Sequence, residues 1–276
     1  MPDHMNYYSS MDEYVADKRL IYADQDRDDF TICDLDSDWG RSFASGTGAC
    51  PLFYSARPHG RRGAWLEAGS SRGLARFSPD AEARVEEVLP ADIRVTGPHM
   101  RKNLLAAALA LEVFGLPART IAEAMASFPG VEHRLEFFAE ADGVRWYNDS
   151  AATIPQAVEA ALSSFDRPVV LIAGGADKNI DFEASAGAFA RAQAIVLLSG
   201  NGTDRLAPIL AARGIGWKGP FDDLDEAICT AGSLAKPGSV VLLSPGCASF
   251  GMFLHEFERG RKFKERTLVY LESRKS

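Results

Sequence analysis

The stretch Trp146-Tyr147-Asn148-Asp149-Ser150-Ala151-Ala152-Thr153-Ile154-Pro155 predicts a strand that passes into a helix. Trp146 and Tyr147 favour a pleated strand, and Pro155 is tolerated in the first turn of the helix that follows. The polar residues between them lie past the carboxyl end of a strand, where open α/β sheets bind ligands. A turn that only caps the helix is the alternative interpretation of these residues.

The chain after this stretch repeats a strand-then-helix pattern. The predicted strands cover residues 168–173, 194–199, 216–218 and 239–243, and the predicted helices cover 182–191, 203–213, 224–231 and 252–271. This alternation requires a mainly parallel sheet with helices on both faces, as in a Rossmann-like, doubly wound domain. None of the loops has the Gly-x-Gly-x-x-Gly spacing of a dinucleotide site, which counts against an NAD-dependent dehydrogenase.

The first half of the chain predicts a second α/β unit. It begins with a helix at residues 11–21, continues with strand-like runs at 29–33, 48–55, 63–67, 74–77 and 91–95, and ends with helices at 104–114 and 120–128. We therefore predict an α/β protein of two domains, residues 1–130 and 131–276.

Composition excludes several classes of protein. The 276 residues are 46% hydrophobic and carry a net charge of -8, which supports packed cores and argues against a nucleic-acid or membrane-surface binder. The sequence has neither a long apolar run nor a signal peptide, so we expect a cytoplasmic location. The four cysteines are widely spaced and predict neither a zinc site nor a disulfide framework.

Three motifs in the second half resemble the Mur ligase family, and its D-glutamate-adding branch above all. Residues 148–155 resemble that branch's Asn-Asp-Ser-Lys-Ala-Thr-Asn-Pro, with Ala151 in place of the lysine. Residues 174–182 resemble Gly-Gly-x-x-Lys-x-x-Asp-Phe. Residues 243–263 resemble Leu-Ser-Pro-x-x-x-Ser-x-x-x-Phe-x-x-x-x-x-Arg-Gly-x-x-Phe.

Three further motifs extend the resemblance to the start of the chain. Residues 3–18 resemble Asp-His-x-Asp-x-x-x-Ser-x-x-x-Tyr-x-x-x-Lys, and residues 97–103 resemble Gly-x-His-Asn-x-x-Asn, with Met100 in place of the first asparagine. Residues 131–134 resemble the end of Gly-x-x-His-Arg. By this likeness, residues 1–130 are the C-terminal part of the family's central ATPase domain, and residues 131–276 are its C-terminal domain.

The resemblance implies three groups of site residues. The metal ligands would be His4 and Lys18; the ATP-binding residues Asn103, Arg134 and Asp149; and the substrate-binding residues Thr153, Lys178, Ser249 and Phe257. Lys18, carbamylated in the family, and Lys178 would be the catalytic residues. The residue types suit these roles, since Mg²⁺ prefers oxygen ligands, arginine binds phosphate in two places, and a dicarboxylate needs a cation.

The implied activity is an ATP- and Mg²⁺-dependent ligation. The carboxylate of UDP-N-acetylmuramoyl-L-alanine would become an acyl phosphate, from which the amine of D-glutamate displaces phosphate. A phosphate-binding Gly-x-x-x-x-Gly-Lys-[Ser/Thr] loop is missing, so we expect a fragment that also lacks the UDP-binding domain and is inactive alone. The alternatives are a sibling ligase for another amino acid, and a non-catalytic module that binds nucleotide or an acidic metabolite.

Overall fold

A computed structural model describes residues 8–78, 84–179 and 181–274. The chain divides into two compact units, Met1–Pro129 and Gly130–Ser276. No helix in the described parts of either unit is long and apolar enough to cross a membrane.

The first unit contains a five-stranded sheet in the order β1-β2-β3-β4-β5. Its elements are α1 (Met11–Arg19), a 3-10 turn (Leu20–Tyr22), β1 (Phe30–Asp34), α2 (Asp38–Gly46), β2 (Cys50–Ser55), β3 (Gly63–Leu66), β4 (Gly73–Arg76), β5 (Glu86–Leu89), α3 (Pro98–Val113) and α4 (Ala118–Ser127). Strands β1 to β3 are parallel, whereas β4 is antiparallel to both of its neighbours.

Helix α3 holds this unit together. Its apolar residues recur at helical spacing, so that Leu105, Ala108 and Leu109 form one buried face. That face packs on β-strand residues such as Leu52 and Leu89. The packing fixes the start of α3, where predicted site residue Asn103 lies, relative to the sheet.

The second unit has a six-stranded sheet in the order β10-β9-β8-β11-β7-β6. Its elements are β6 (Glu136–Ala141), β7 (Val144–Asn148), α5 (Pro155–Leu162), β8 (Val169–Gly174), a 3-10 helix (Ala186–Arg191), β9 (Ala194–Leu198), α6 (Asn201–Ala212), β10 (Lys218–Phe221), α7 (Leu224–Leu234), β11 (Val240–Leu243) and α8 (Glu256–Ser273). All neighbouring strands are parallel except β6 and β7, which form a hairpin.

Both faces of this sheet are covered, as the uninterrupted apolar strands predict. Along β8, Leu171 packs on the side of α5 and α6, whereas Val170 and Ile172 pack on the side of α7 and α8. The predicted α/β class, with a mainly parallel C-terminal sheet and helices on both faces, is confirmed.

Several predicted elements were wrong in extent. The helix predicted at 182–191 is only a 3-10 helix from Ala186, and the helix predicted from residue 252 begins at Glu256, because the side chain of His255 caps it. The last strand of the first unit is Glu86–Leu89, not the run at 91–95. Helix α2 was not predicted, since its two glycines weaken the helical pattern.

Candidate functional site

Three loops of the second unit meet at the carboxyl edge of its sheet. The first loop (149–154) follows β7, the second loop (175–185) follows β8, and the third loop (244–255) follows β11. Backbone hydrogen bonds of 2.8–2.9 Å join them, from Gly174 N to Pro245 O, Ala176 N to Ala248 O, Ala248 N to Ala176 O, and Gly246 N to Ala152 O. The edge is therefore a framework built from main-chain atoms.

Close backbone approach in this framework requires glycine. Gly175 has a φ of 136°, and a Cβ there would lie 2.5 Å from the carbonyl oxygen of Ala248. A Cβ on Gly200, at the start of α6, would lie 2.4 Å from the backbone of Gly175. Any side chain at these two positions would push the loops apart.

The framework carries three of the four predicted substrate-binding residues. Thr153 is half-buried in the first loop, Lys178 is exposed in the second, and Ser249 is buried in the third. Phe257 lies in the first turn of α8, is 49% exposed, and has its ring centroid 5.6 Å from that of His133. Segments at the carboxyl edge of the sheet thus carry a cation, two hydroxyl groups and an aromatic ring.

The hydroxyl of Ser249 has no hydrogen-bond partner among the residues that the structure describes. Buried polar groups normally have a partner, so an acceptor or donor from a ligand would satisfy this one. The hydroxyl oxygen itself is closed to solvent in this structure.

Asp149 lies inside the framework, only 7% exposed, and both of its carboxylate oxygens are engaged. One accepts a hydrogen bond from Leu135 N at 3.1 Å, and the other accepts from Ser244 Oγ at 2.8 Å. Burial raises the pKa of Asp149 to about 7, although these two hydrogen bonds and the charge of Arg134 act in the opposite direction. Asp149 therefore links the Arg134 segment to the third loop.

Arg134 is exposed between two residues with left-handed backbone. His133 has a φ of 65° and Leu135 a φ of 43°, a conformation that costs free energy for residues with a Cβ. The turn is held by hydrogen bonds from Ala151 N to His133 O, at 3.1 Å, and from Leu135 N to Asp149. These hydrogen bonds thus fix the backbone at Arg134, and with it the direction in which the Arg134 side chain leaves the main chain.

Glu132, His133 and Glu136 offer atoms close enough together to bind a cation. Lys264 Nζ already lies 3.0 Å from Glu132 and 2.6 Å from Glu136, so the ammonium group supplies the positive charge. Burial lowers the pKa of His133, which favours the neutral ring whose Nδ1 lies 2.8 Å from the side-chain nitrogen of Asn148. We assign no metal to this cluster.

Gly260 brings α8 against this network. A Cβ there would lie 2.2 Å from His133 Nδ1 and 3.0 Å from Asn148 Nδ2, both in buried side chains. We predict that Gly260→Ala lowers the free energy of unfolding of the second unit by about 3 kcal/mol, because neither side chain can move away without losing hydrogen bonds.

Urea denaturation of the wild type and the variant measures this change. Gly187→Ala is the matched control, because nothing lies within 4 Å of its added Cβ, and we expect a change below about 0.5 kcal/mol. Equal free energies of unfolding for the wild type and Gly260→Ala would contradict the predicted close contact.

Arg259 is a residue of this edge to which the sequence assigned no role. It is 1% exposed, and its guanidinium donates to Ser150 Oγ at 3.0 Å, Ser150 O at 2.9 Å, and Cys247 O and Ala248 O at 3.2 Å. Burial lowers its pKa to about 10. The Arg-Gly pair in the motif at 243–263 was the sequence signal that could have drawn attention to Arg259. The position of its side chain beneath the loops could not be inferred from motif spacing.

In the first unit, the structure describes two of the three predicted site residues. Lys18 is exposed at the end of α1, with its Nζ 5.2 Å from the centroid of the Tyr14 ring. It lines a cavity of about 490 Å³ whose wall also contains Asp34 and Ser37. Asn103 is exposed in α3. His4 lies outside the described residues.

An ion-pair network that the sequence did not predict lies beside Asn103. Lys102 Nζ is 2.7 Å from Asp34, the last residue of β1, and 2.9 Å from Asp36, two residues further along the chain. Burial raises the pKa of Asp36, but hydrogen bonds from Ala56 N, Lys102 and Ser55 outweigh it and bring the pKa down to about 2. The network ties the first turns of α3 to the sheet edge.

Comparison with known families covers both units. The model of the Mur ligase middle domain matches residues 1–111, and that of the Mur ligase, glutamate ligase domain matches residues 133–247. The chain belongs to the Mur ligase family. The resemblance inferred from the motifs is thus confirmed.

Curated relatives agree with this assignment. The chain is 35% identical over 327 residues to the UDP-N-acetylmuramoylalanine--D-glutamate ligase of Treponema pallidum, covering 99% of this chain and 61% of that protein. It is 38% identical over 279 residues to the protein of that name from a Roseiflexus species, covering 95% and 58%. The chain thus spans about three fifths of the length of these relatives.

Solved structures show the same fold at low sequence identity. The UDP-N-acetylmuramate-alanine ligase MurC of Thermotoga maritima superposes with a TM-score of 0.68 at 16% identity, over 97% of this chain and 58% of that one. E. coli FolC in complex with DHPP and ADP gives a TM-score of 0.64 at 19% identity, over 100% and 60%. These similarities establish the fold alone.

Proposed function

We propose that this chain serves the ATP-dependent ligation of D-glutamate to UDP-N-acetylmuramoyl-L-alanine, a step in the synthesis of peptidoglycan precursors. The relatives that cover 95–99% of the chain are D-glutamate ligases by name. The observation that carries the proposal is the framework of three loops, which presents Thr153, Lys178 and Ser249 from one sheet edge.

The chemistry of D-glutamate matches this edge. A molecule with two carboxylates needs a cation, which the exposed Lys178 supplies, and hydrogen-bond donors, which the hydroxyls of Thr153 and Ser249 supply. The ring of Phe257 would cover the apolar stem of the amino acid. The unsatisfied hydroxyl of Ser249 supports a ligand at this place.

We propose nucleotide-binding roles for three residues, each argued from its own unit. Arg134 would contact ATP phosphate, because its guanidinium is exposed and its backbone is fixed by the turn that contains it. Asn103 would contact the adenine. Asp149, whose oxygens are both engaged within the fold, would act on ATP by holding the Arg134 segment in place.

His4 and Lys18 would hold Mg²⁺, with Lys18 carbamylated so that it offers oxygen atoms. Lys18 suits this modification because it is exposed and lines a cavity that Asp34 and Ser37, two residues with oxygen-bearing side chains, also line. A bound Mg²⁺ would neutralise charge on the ATP phosphates.

In the proposed reaction, the γ-phosphoryl group of ATP passes to the carboxylate of the first substrate and yields an acyl phosphate and ADP. The amine of D-glutamate then attacks the acyl carbon, an amide bond forms, and phosphate and the proton of the amine leave. The residues of this chain would contribute by positioning and by neutralising charge, since phosphoryl transfer needs little covalent participation from the protein. We propose the cytoplasm as the place of this reaction.

The test uses the complete product of the gene that encodes this chain. Phosphate release is measured with ATP, Mg²⁺, UDP-N-acetylmuramoyl-L-alanine and D-glutamate, and then with each component left out in turn. We expect release only with all four, and a ligated product of the corresponding mass. Equal release with another amino acid, and none with D-glutamate, would identify a sibling ligase. Nucleotide or D-glutamate binding without any turnover would support a binding module instead.

A further inference from the structure

We propose that Arg259 is the positioning residue of the amino-acid site, because its guanidinium fastens together the loops that carry Thr153, Ser249 and Lys178. This inference rests on the proposed function for the identity of the amino acid. It goes beyond that function in assigning the geometry of the site to a residue that need not touch the substrate.

The contacts of Arg259 reach the first and third loops at once. Nε and one terminal nitrogen bind the hydroxyl and carbonyl oxygens of Ser150, three residues before Thr153. The other terminal nitrogen binds the carbonyl oxygens of Cys247 and Ala248, immediately before Ser249. The planar fork of one side chain therefore sets the separation of two substrate-binding segments.

The second loop is joined to the same group through Ala248. Ala248 exchanges two backbone hydrogen bonds of 2.9 Å with Ala176, which lies two residues before Lys178. A Cβ on the neighbouring Gly175 would lie 3.6 Å from the Arg259 guanidinium, so that loop passes directly over the side chain. A displacement of Arg259 would be transmitted to all three loops.

The bonding of Arg259 is unusual for a buried cation. Within the part of the chain that the structure describes, its hydrogen-bond partners are neutral oxygens and it forms no ion pair with a carboxylate. Burying a charge without a counter-ion is costly, and a fold that needed only a bridge between loops could use an amide side chain. Charged donors bind carbonyl oxygens about twice as strongly as neutral ones, which suits a clamp that must resist displacement when a ligand enters.

The test compares Arg259→Lys with Arg266→Lys in the complete gene product. Lysine keeps the charge but cannot reach Ser150 and the Cys247 and Ala248 carbonyls together. Arg266 is an exposed arginine of the same helix, 3.6 Å from Asp225. We expect Arg259→Lys to raise the KM for D-glutamate about tenfold, with the KM for ATP within twofold, and we expect Arg266→Lys to change neither.

Hydrogen exchange provides a readout that is independent of the substrate. In Arg259→Lys the amides of Ala176 and Ala248 should exchange at least about tenfold faster, while core amides such as Val170 stay protected. Ser150→Ala removes one acceptor of Arg259, together with the hydrogen bond that the Ser150 hydroxyl donates to Glu256 O. It leaves the other three Arg259 contacts in place and should give a smaller change in the same direction, which secures the test if Arg259→Lys folds poorly.

Each result has a distinct meaning. Unchanged exchange at both alanines together with an unchanged KM for D-glutamate would overturn the inference. Equal increases in the KM for D-glutamate and for ATP would also overturn it, since they would reveal only a general structural role. If the wild type does not use D-glutamate, the proposed function fails, whereas faster exchange at Ala176 and Ala248 would still support the clamp.

Discussion

Replacing Lys178 by alanine is expected to raise the KM for D-glutamate by about 30- to 150-fold, while the KM for ATP stays within about twofold. Lys178 is exposed in the second loop and supplies the cation that a dicarboxylate requires. Losing one charge-assisted contact to a bound ligand costs about 2–3 kcal/mol, and each 1.4 kcal/mol is a factor of about ten. The effect should be confined to D-glutamate, because our assignment gives ATP to other residues.

Steady-state kinetics with each substrate varied in turn measure this change. Lys236→Ala is the matched control, since Lys236 is also exposed but precedes β11 at the opposite end of the sheet. It should leave both KM values unchanged. Equal losses for D-glutamate and ATP in Lys178→Ala would contradict the assigned role.

The second large effect concerns Asp149 and pH. Burial raises its pKa from 3.8 to about 7, so between these values the folded chain holds a proton that the unfolded chain has released. The free energy of unfolding contributed by this group is therefore fully present below about pH 4, decreases as pH rises to about 7, and is constant above. A shift of about three units bounds the loss at about 4 kcal/mol.

Asp149→Asn should remove this dependence. An asparagine oxygen can still accept from Leu135 N, and its amide can donate to the hydroxyl of Ser244, so the contacts survive without a charge. We expect the variant to match the wild type in stability near pH 4 and to exceed it by about 2–4 kcal/mol at pH 8.

Urea unfolding of the second unit at several pH values measures the difference between variant and wild type. Asp222→Asn, at an exposed position before α7, is the control for removing one carboxylate from the second unit. A constant difference between Asp149→Asn and wild type from pH 4 to 8 would show that Asp149 does not titrate in this range.

Local patterns were sufficient to predict the second unit's architecture. The apolar strands and the helices that follow them require a parallel sheet, and Asp142-Gly143 forms the hairpin turn, with φ values of 52° and 73°. The loops that carry Thr153, Lys178 and Ser249 could be placed at one edge, because parallel strands end on the same side. Their roles stay predictions from the family resemblance.

Other features could not be predicted, because they depend on contacts between distant parts of the chain. Arg259 reaches Ser150 across 109 residues and Asp149 reaches Ser244 across 95, and no local pattern indicates either pair. In the sequence, Lys102 is one polar residue at the start of a predicted helix, and only the fold places Asp34 and Asp36 beside it. Polar residues that hold a site together are the hardest to identify from sequence, because their partners are mostly backbone atoms.

The backbone hydrogen bonds between the three loops affect how such a protein can evolve. Gly174, Ala176, Gly246 and Ala248 connect the loops through backbone hydrogen bonds. The side chains at 153, 178 and 249 can therefore be exchanged while these hydrogen bonds remain. Mutation can then alter the preferred amino acid one position at a time. An insertion or deletion between residues 176 and 178 would instead move Lys178 relative to the hydrogen-bonded Ala176. We therefore expect natural descendants of this sequence to vary in the chemistry of these loops and to conserve their length.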